Sequence, residues 1–382
     1  MGTLSLFVFI DAFGWELVRN RSFLEPEARI KKPLETVFGY SCTCDPTIIT
    51  SVPPREHGHF SFFAYDPVKS PFKPLQALRV LPRSLVDRGR VRNKISQFVQ
   101  KAYGYTGYFQ LYAVPFKYIH LFDYSEKRDI YLEGGINGGQ PSVFVLLDKA
   151  GIPYFRSDWR KGEKEAVADL SAALAGGRPR LAYLYLAKMD ALLHAKGTQA
   201  AEVGAMIDGY QDTLRAVLAD ARKSYDEVRL FVFSDHGMTD IVRSSPLMAE
   251  IEATGLVFGR DYAAVYDSTM ARFWFLREGS RATIEAILGK SKDGRILDNA
   301  TLHDWGIDFA DRRYGELFFL LHPGVLLCPS FMGTKPLAGM HGYDPGSPGS
   351  RASFISTVEL EKAPEKLADL FSLMKRESGL GV

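Results

Sequence analysis

The chain opens on an apolar run, Leu4–Ile10 (LSLFVFI), which ends abruptly at Asp11. A continuous run of that length predicts a strand covered on both faces. Glu35–Tyr40 reads as a second short strand. Asp45–Ser51 reads as a helix start, with Asp45 at the cap and Pro46 at the first helical position. Residues 141–150 (PSVFVLLDKA) predict a helix stopped by Gly151, followed by an extended Ile152–Phe155. Lys164–Ala175 predicts another helix, ended by Gly176-Gly177. Leu181–Leu186 (LAYLYL) predicts a strand leading to Asp190. Ala200–Arg222 predicts a long amphipathic helix, and Val228–Phe233 (VRLFVF) a strand leading to Asp235 and His236. Strands alternating with helices, with polar residues at the strands' carboxyl ends, describe an open α/β sheet whose site lies on that edge.

Two stretches interrupt the alternation. Residues 60–140 are rich in Phe, Tyr, basic residues and proline, and read as an insertion lying over the site. Residues 245–335 read as a small α+β subdomain. It starts with a helix capped by Ser245, with Pro246 at its first position and Thr254 near its end. Met270–Leu276 (strand), Ser280–Leu288 (helix) and Leu317–Leu321 (strand) follow. The expected domains are therefore an α/β core made of 1–59, 141–244 and 336–382, a cap at 60–140, and the subdomain at 245–335.

Composition narrows the class. The 382 residues are 46% hydrophobic and 24% charged, as in an ordinary globular protein, and the formal net charge is +2. That balance gives no global field for a nucleic-acid polymer or a membrane surface. Three cysteines, Cys42, Cys44 and Cys328, make no disulfide framework. The first apolar run lacks a basic leader and runs straight into Asp11, so it reads as a strand and not as a signal peptide. No apolar run reaches the roughly 18 to 20 residues of a membrane span. The expectation is a cytoplasmic protein.

The candidate chemistry gathers at strand ends. Asp11 ends the first run, Asp190-x-x-x-His194 puts two ligand types on one helical face, and Ser234-Asp235-His236-Gly237-Met238 follows the Val228–Phe233 strand. His341 sits among Gly339, Gly342 and Pro345, where the backbone can approach a ligand closely. Three carboxylates and three imidazoles are the inventory for two divalent ions of the zinc type, and two ions suit phosphoryl transfer. Singly, Asp11 fits a turn or cap equally well, and each histidine fits a core or turn position. Ser41 to Thr47 places hydroxyls between strand and helix, where amide donors and the helix dipole favour phosphate. An ordinary cap is the alternative there. His57 and His59, after Pro53-Pro54, read as turn histidines that position the site loop.

Taken in order, Asp11, TSVPPREHG (50–58), DALLH (190–194), SDHGM (234–238) and GMHGYDP (339–345) resemble the alkaline phosphatase superfamily, in particular its type I phosphodiesterase/nucleotide pyrophosphatase branch. The resemblance implies an alkaline-phosphatase-like three-layer α/β/α sandwich with the inserted cap and the small subdomain. It implies one metal held by Asp190, His194 and His341, and another by Asp11, Asp235 and His236. In that family the nucleophilic hydroxyl precedes the Thr of the T-G-x-x-P segment by nine residues, which gives Ser41, with Thr43 as competitor. The chain departs from the family at Ser51, where the family has Gly, and at Thr43-Cys44, where Pro and a phosphate-contacting Asn are usual. Ser41-Cys42-Thr43-Cys44-Asp45 does not fit the sulfatase motif.

The implied function is a two-metal hydrolase acting through a phosphoseryl intermediate on a small phosphodiester or nucleotide-diphosphate. Zn2+ is the expected ion, with Mn2+ or Fe as alternatives. A phosphomonoesterase or phosphonate hydrolase, a phosphoryl transferase or mutase, and a non-catalytic binding protein of the same fold are the alternatives. Within the insertion, Phe60, Phe62 and Phe63 directly follow the site loop and are the expected pocket wall. Arg83, Arg88, Arg90, Arg92 and Lys94 are candidates to neutralise a diphosphate. Gly134–Gly139 reads as a hinge or linker.

Overall fold

The computed structural model describes residues 2–82 and 88–381; Arg83 lies outside the described residues. Six strands form the main sheet, in the order Ile30–Leu34, Ala352–Ser356, Glu227–Phe233, Thr3–Ile10, Leu181–Leu186, Tyr154–Arg156. The Thr3–Ile10 strand runs parallel to both neighbours, pairing Phe9 with Phe233 and with Tyr185. Ala352–Ser356 is antiparallel to both of its neighbours.

Alternation inside the apolar runs sorts side chains to two faces. Leu4, Leu6, Val8 and Ile10 enter one core with the helices Glu163–Ala175 and Ala201–Ala221. Phe7 and Phe9 enter another, with Ser41–Thr50, Val143–Ala150 and Asp369–Ser378. Two helical layers thus cover a mostly parallel sheet, the three-layer α/β/α arrangement. Ser5, on the Phe7 face, donates to Glu377 Oε2 at 2.9 Å, so the one polar residue of the run is satisfied.

The strands at 181–186 and 227–233 and the helices at 143–150, 163–175 and 201–221 lie within a residue or two of where the pattern puts them. Two expectations near the site fail. The second strand is Ile30–Leu34, not Glu35–Tyr40. It is the outermost strand, where Pro33 is tolerated because an edge residue needs no ladder donor. The next helix starts at Ser41, four residues before Asp45, and carries Pro46 inside it.

The stretch at 60–140 holds a helix, Gly89–Ala102, and a short strand pair, Phe63–Tyr65 with Phe122–Tyr124. Residues 262–321 form an antiparallel sheet in the order Tyr262–Tyr266, Met270–Phe275, Leu317–Leu321, Gly294–Leu297. The two stretches share one hydrophobic cluster. Arg272, fully buried, ties them: Nε bonds Asp267 at 2.7 Å, and Nη2 bonds Ser61 Oγ at 2.8 Å and the Phe63 carbonyl at 3.0 Å. Among the described residues, no helix is long and apolar enough to cross a membrane.

Candidate functional site

The parallel register brings the carboxyl ends of Thr3–Ile10, Leu181–Leu186 and Glu227–Phe233 to one edge, and the candidate ligands leave from there. Asp11 follows Ile10 directly, and its backbone N–H bonds the Leu186 carbonyl at 3.0 Å. Asp190 and His194 project from the Lys188–Lys196 helix. Asp235 and His236 leave the Glu227–Phe233 strand through Ser234, whose Oγ accepts from Ser353 N at 3.0 Å.

Two triads result: Asp190, His194 and His341, and Asp11, Asp235 and His236. Within each, the ligand-type atoms lie within 4.8 Å of one another. The triads adjoin, because the His236 and His341 rings stack at 3.7 Å and 9°. All six residues singled out in the sequence are brought together.

Each histidine offers a defined face. His194 Nδ1 bonds the Gly339 carbonyl at 2.9 Å, and His236 Nδ1 bonds the Gly237 carbonyl at 2.9 Å. An Nδ1–H held by a carbonyl leaves Nε2 with a lone pair for a cation. Tyr185 Oη donates to Asp11 Oδ2 at 2.6 Å. Asp11 Oδ1, Asp190 Oδ1, Asp235 Oδ2 and His341 Nδ1 are buried and have no hydrogen-bond partner. Such atoms are costly unless a ligand answers them. The donor set, three carboxylates and three imidazoles, fits two divalent ions.

The charges of this cluster strain one another. Burial raises the Asp11 pKa well above the carboxylate range, and Asp235 and Asp190 add to it. Burial lowers His236, but Asp235, Asp11 and Asp190 outweigh it and carry the group up to about 10. His341 is pushed well down by burial and by the His236 and His194 charges. Dications between the triads would relieve the carboxylate repulsion that these shifts express.

Ser41 is the first residue of the Ser41–Thr50 helix, and its Oγ lies 3.1 Å from His236 Nε2. The helix's first amides and its positive dipole end surround that hydroxyl. Thr43 points elsewhere: it is fully buried and donates to the Phe60 carbonyl at 2.5 Å. Cys44 is buried beside Thr36 Oγ1 at 3.6 Å, away from the cleft. His57 and His59 support the helix and loop. His57 Nε2 pairs with Thr47 Oγ1 at 3.0 Å, its Nδ1 accepts from His59 N at 3.1 Å, and His59 Nε2 accepts from Asn137 N at 3.0 Å. Burial holds His59 neutral, down to about 4.

A cleft of about 550 Å³ opens over the triads, lined by Asp11, Ser41, Asp190, His194 and His341. Of the three expected wall residues, Phe62 lines it, whereas Phe60 and Phe63 do not. Phe60 is fully buried against Tyr314 and Phe318, and Phe63 against Phe122 and Tyr124. Phe62 and Phe63 are neighbours entering the Phe63–Tyr65 strand and point to opposite sides, whereas Phe60, within the bend that precedes it, turns into the core. Arg92 is not a diphosphate ligand: it is buried, with Nη1 on the Val114 carbonyl at 2.7 Å and its guanidinium over Phe116. Arg88, Arg90 and Lys94 do not line the cleft either.

The glycine run at 134–139 is a pinned turn, not a hinge. A Cβ at Gly138 would lie 1.8 Å from the Glu56 carbonyl oxygen, and one at Gly135 would lie 1.9 Å from that of Asp129.

Several cleft residues were not foreseen. Tyr185 could have been read from LAYLYL, as the last residue on the Tyr183 face before the strand ends. Asp45 lies one helical turn beyond Ser41, in the cleft, with Oδ1 buried and unpartnered. Its pKa is raised by burial and then by Asp235 and Asp11. The mistaken helix start hid that i,i+4 relation. Glu126, Tyr108, Tyr112 and Trp159 complete the lining.

An α/β/α sandwich with paired Asp/His triads at the carboxyl edge of its sheet is an alkaline-phosphatase fold. Within it, the chain belongs to the type I phosphodiesterase/nucleotide pyrophosphatase family, whose model matches residues 6–344. The fold agrees with murine ectonucleotide pyrophosphatase/phosphodiesterase 5 in its inactive, AMP-bound form, at a TM-score of 0.70 and 16% identity over 99% of this chain and 96% of that one. The human protein of the same name gives 0.70 and 15%, over 99% and 96%. No curated protein sequence matches the chain.

Proposed function

We propose that this protein is a phosphodiesterase that works through a phosphoseryl intermediate on Ser41, with two divalent ions held by Asp190, His194 and His341 and by Asp11, Asp235 and His236. One observation carries the reading. The Ser41 hydroxyl lies 3.1 Å from His236 Nε2, at a helix N-terminus, beside two adjoining Asp/His triads in which each carboxylate keeps one buried oxygen without a hydrogen-bond partner. Zinc suits the mixed nitrogen and oxygen donors, and manganese or iron would also be accepted.

When bound, the ions supply Lewis acidity, which lowers the hydroxyl pKa and neutralises charge on the phosphoryl oxygens. The chain's own residues do the rest. The helix N-terminus favours the anionic form of Ser41 Oγ and of the phosphoryl group. Ser41 Oγ attacks phosphorus as its proton passes to solvent. The bond from phosphorus to the leaving alcohol breaks, and the alcohol departs from the opposite side. Water then cleaves the phosphoseryl ester and regenerates the serine. Tyr185 holds Asp11 in one orientation throughout. The cleft, lined also by Phe62, Tyr108 and Tyr112, has room for the second ester group of a diester.

Ser41→Ala should abolish hydrolysis of bis-p-nitrophenyl phosphate while retaining two equivalents of metal. Mass spectrometry of acid-quenched wild type should find phosphate on the peptide carrying Ser41. Wild-type turnover in the variant would overturn the assignment.

A further inference from the structure

The carboxylate of Glu126 stands out in the cleft. The side chain is 7% exposed and lines the cavity, yet no hydrogen bond or ion pair reaches its carboxylate from the described residues. The other cleft carboxylates outside the triads are spoken for or belong to the phosphoryl end. Asp129 is paired with Arg160 at 3.0 Å, Asp267 with Arg272 at 2.7 Å, and Asp45 lies next to the triads. The cleft's two other cations, Arg128 and Lys335, are exposed at its rim.

Glu126 is fixed in place. Gly107 packs so closely that a Cβ there would lie 2.4 Å from the Glu126 carbonyl oxygen. Its charge is felt at Cys42, the residue after Ser41, where it is the largest electrostatic influence after burial. The rings of Phe62, Tyr108 and Tyr112 line the same cleft, and the Glu126 charge is felt at Tyr108; Phe62 lies 5.4 Å from Tyr108 and 5.5 Å from Tyr112, and the two tyrosine hydroxyls are 3.1 Å apart. Aromatic faces with one unpaired carboxylate recognise a cation: the ring quadrupoles attract it and the carboxylate neutralises it.

We propose that Glu126, Phe62, Tyr108 and Tyr112 form a subsite for an organic ammonium group on the ester arm of the substrate, so that the preferred diester carries a positive charge a few bonds from phosphorus. This rests on the phosphodiesterase reading and narrows it. A nucleoside diphosphate would bring further negative charge against Glu126 with only rim cations to meet it. An aminoalkyl or trimethylammonioalkyl phosphodiester brings the complementary charge. Burial, with Asp129, holds the empty Glu126 up at about 8, the state expected of a carboxylate that lacks its counterion.

The test uses the metal-loaded enzyme and three 4-nitrophenyl phosphodiesters, whose second alcohols are 2-aminoethanol, choline and the neutral isostere 3,3-dimethylbutanol. Wild type should favour both cationic esters over the neutral one by about tenfold or more in kcat/KM, the scale of a desolvated cation–π contact. Glu126→Gln should remove most of that preference and leave the neutral ester within about twofold, which also shows that the variant folds. Equal rates on all three esters, or an unchanged preference in Glu126→Gln, would overturn the subsite. Failure to hydrolyse any diester, the neutral one included, would count against the phosphodiesterase reading instead. In that event, calorimetric titration with choline decides the subsite. Saturable binding to wild type that is lost in Glu126→Gln supports it, and equal or absent binding in both overturns it.

Discussion

Tyr185 ends in a hydroxyl 2.6 Å from Asp11 Oδ2, and that contact orients one of the candidate ligand carboxylates. Removing such an outer partner typically costs about 10- to 100-fold in metal affinity or activity. Tyr185→Phe should therefore fold normally, bind metal more weakly, and regain turnover as metal is raised; metal titration of activity reads this. Glu126 makes a prediction about stability. Its carboxyl is raised by burial to about 8 in the folded state, against the ordinary glutamate value of 4.5. Between those values the unfolded chain has released the proton and the folded one retains it. Stability therefore falls as pH rises through that window. Glu126→Gln removes this penalty, so its melting temperature should gain on wild type between pH 5 and pH 8; a constant difference would contradict the burial argument. At this scale the six candidate ligands that the fold brings together were legible, because metal chemistry limits the residue types and strand ends limit their positions. Glu126 was not, because nothing local marks a carboxylate whose neighbours come from 62, 108 and 112.

The Ser41–Thr50 helix was the element hardest to read. Asp45-Pro46 carries the usual signs of a start, but the structure begins the helix at Ser41 and accepts Pro46 within it. Contacts from outside the segment outweigh that local signal. Thr43 donates to Phe60, and Thr47 pairs with His57, so the loop after the helix fixes its first turns. The consequence is chemical, since Ser41 rather than Asp45 stands at the positive end. The Ile30–Leu34 strand was hidden for a similar reason: its Pro33 is allowed only because the strand is at the edge. The long apolar strands were easy to read because burial on both faces leaves no polar ambiguity. Between the 60–140 stretch and the small sheet, Arg272 joins residues that no local pattern connects. Arg272→Ala would leave Asp267 buried without its partner and should cost about 3 to 5 kcal/mol, measurable by urea unfolding.

Across the whole molecule, the parallel register, the 60–140 stretch and the two Asp/His triads converge on one cleft. Three candidate ligand carboxylates, Asp11 and Asp235 buried and Asp190 partly so, converge on one edge of the sheet, so the folded state should depend on the cations that answer them. Each ion bound at a hundredfold excess over its Kd stabilises the fold by about 2.7 kcal/mol. Chelation should therefore lower the melting temperature as well as abolish activity, and zinc or manganese should restore both. The central claim is that these triads and Ser41 make one phosphodiester-cleaving centre. The most direct test is hydrolysis of bis-p-nitrophenyl phosphate, beside p-nitrophenyl phosphate, by metal-stripped protein before and after zinc or manganese is returned. The account predicts no activity without metal and restored turnover that prefers the diester. Metal-independent turnover, or metal-restored turnover confined to the monoester, would contradict it.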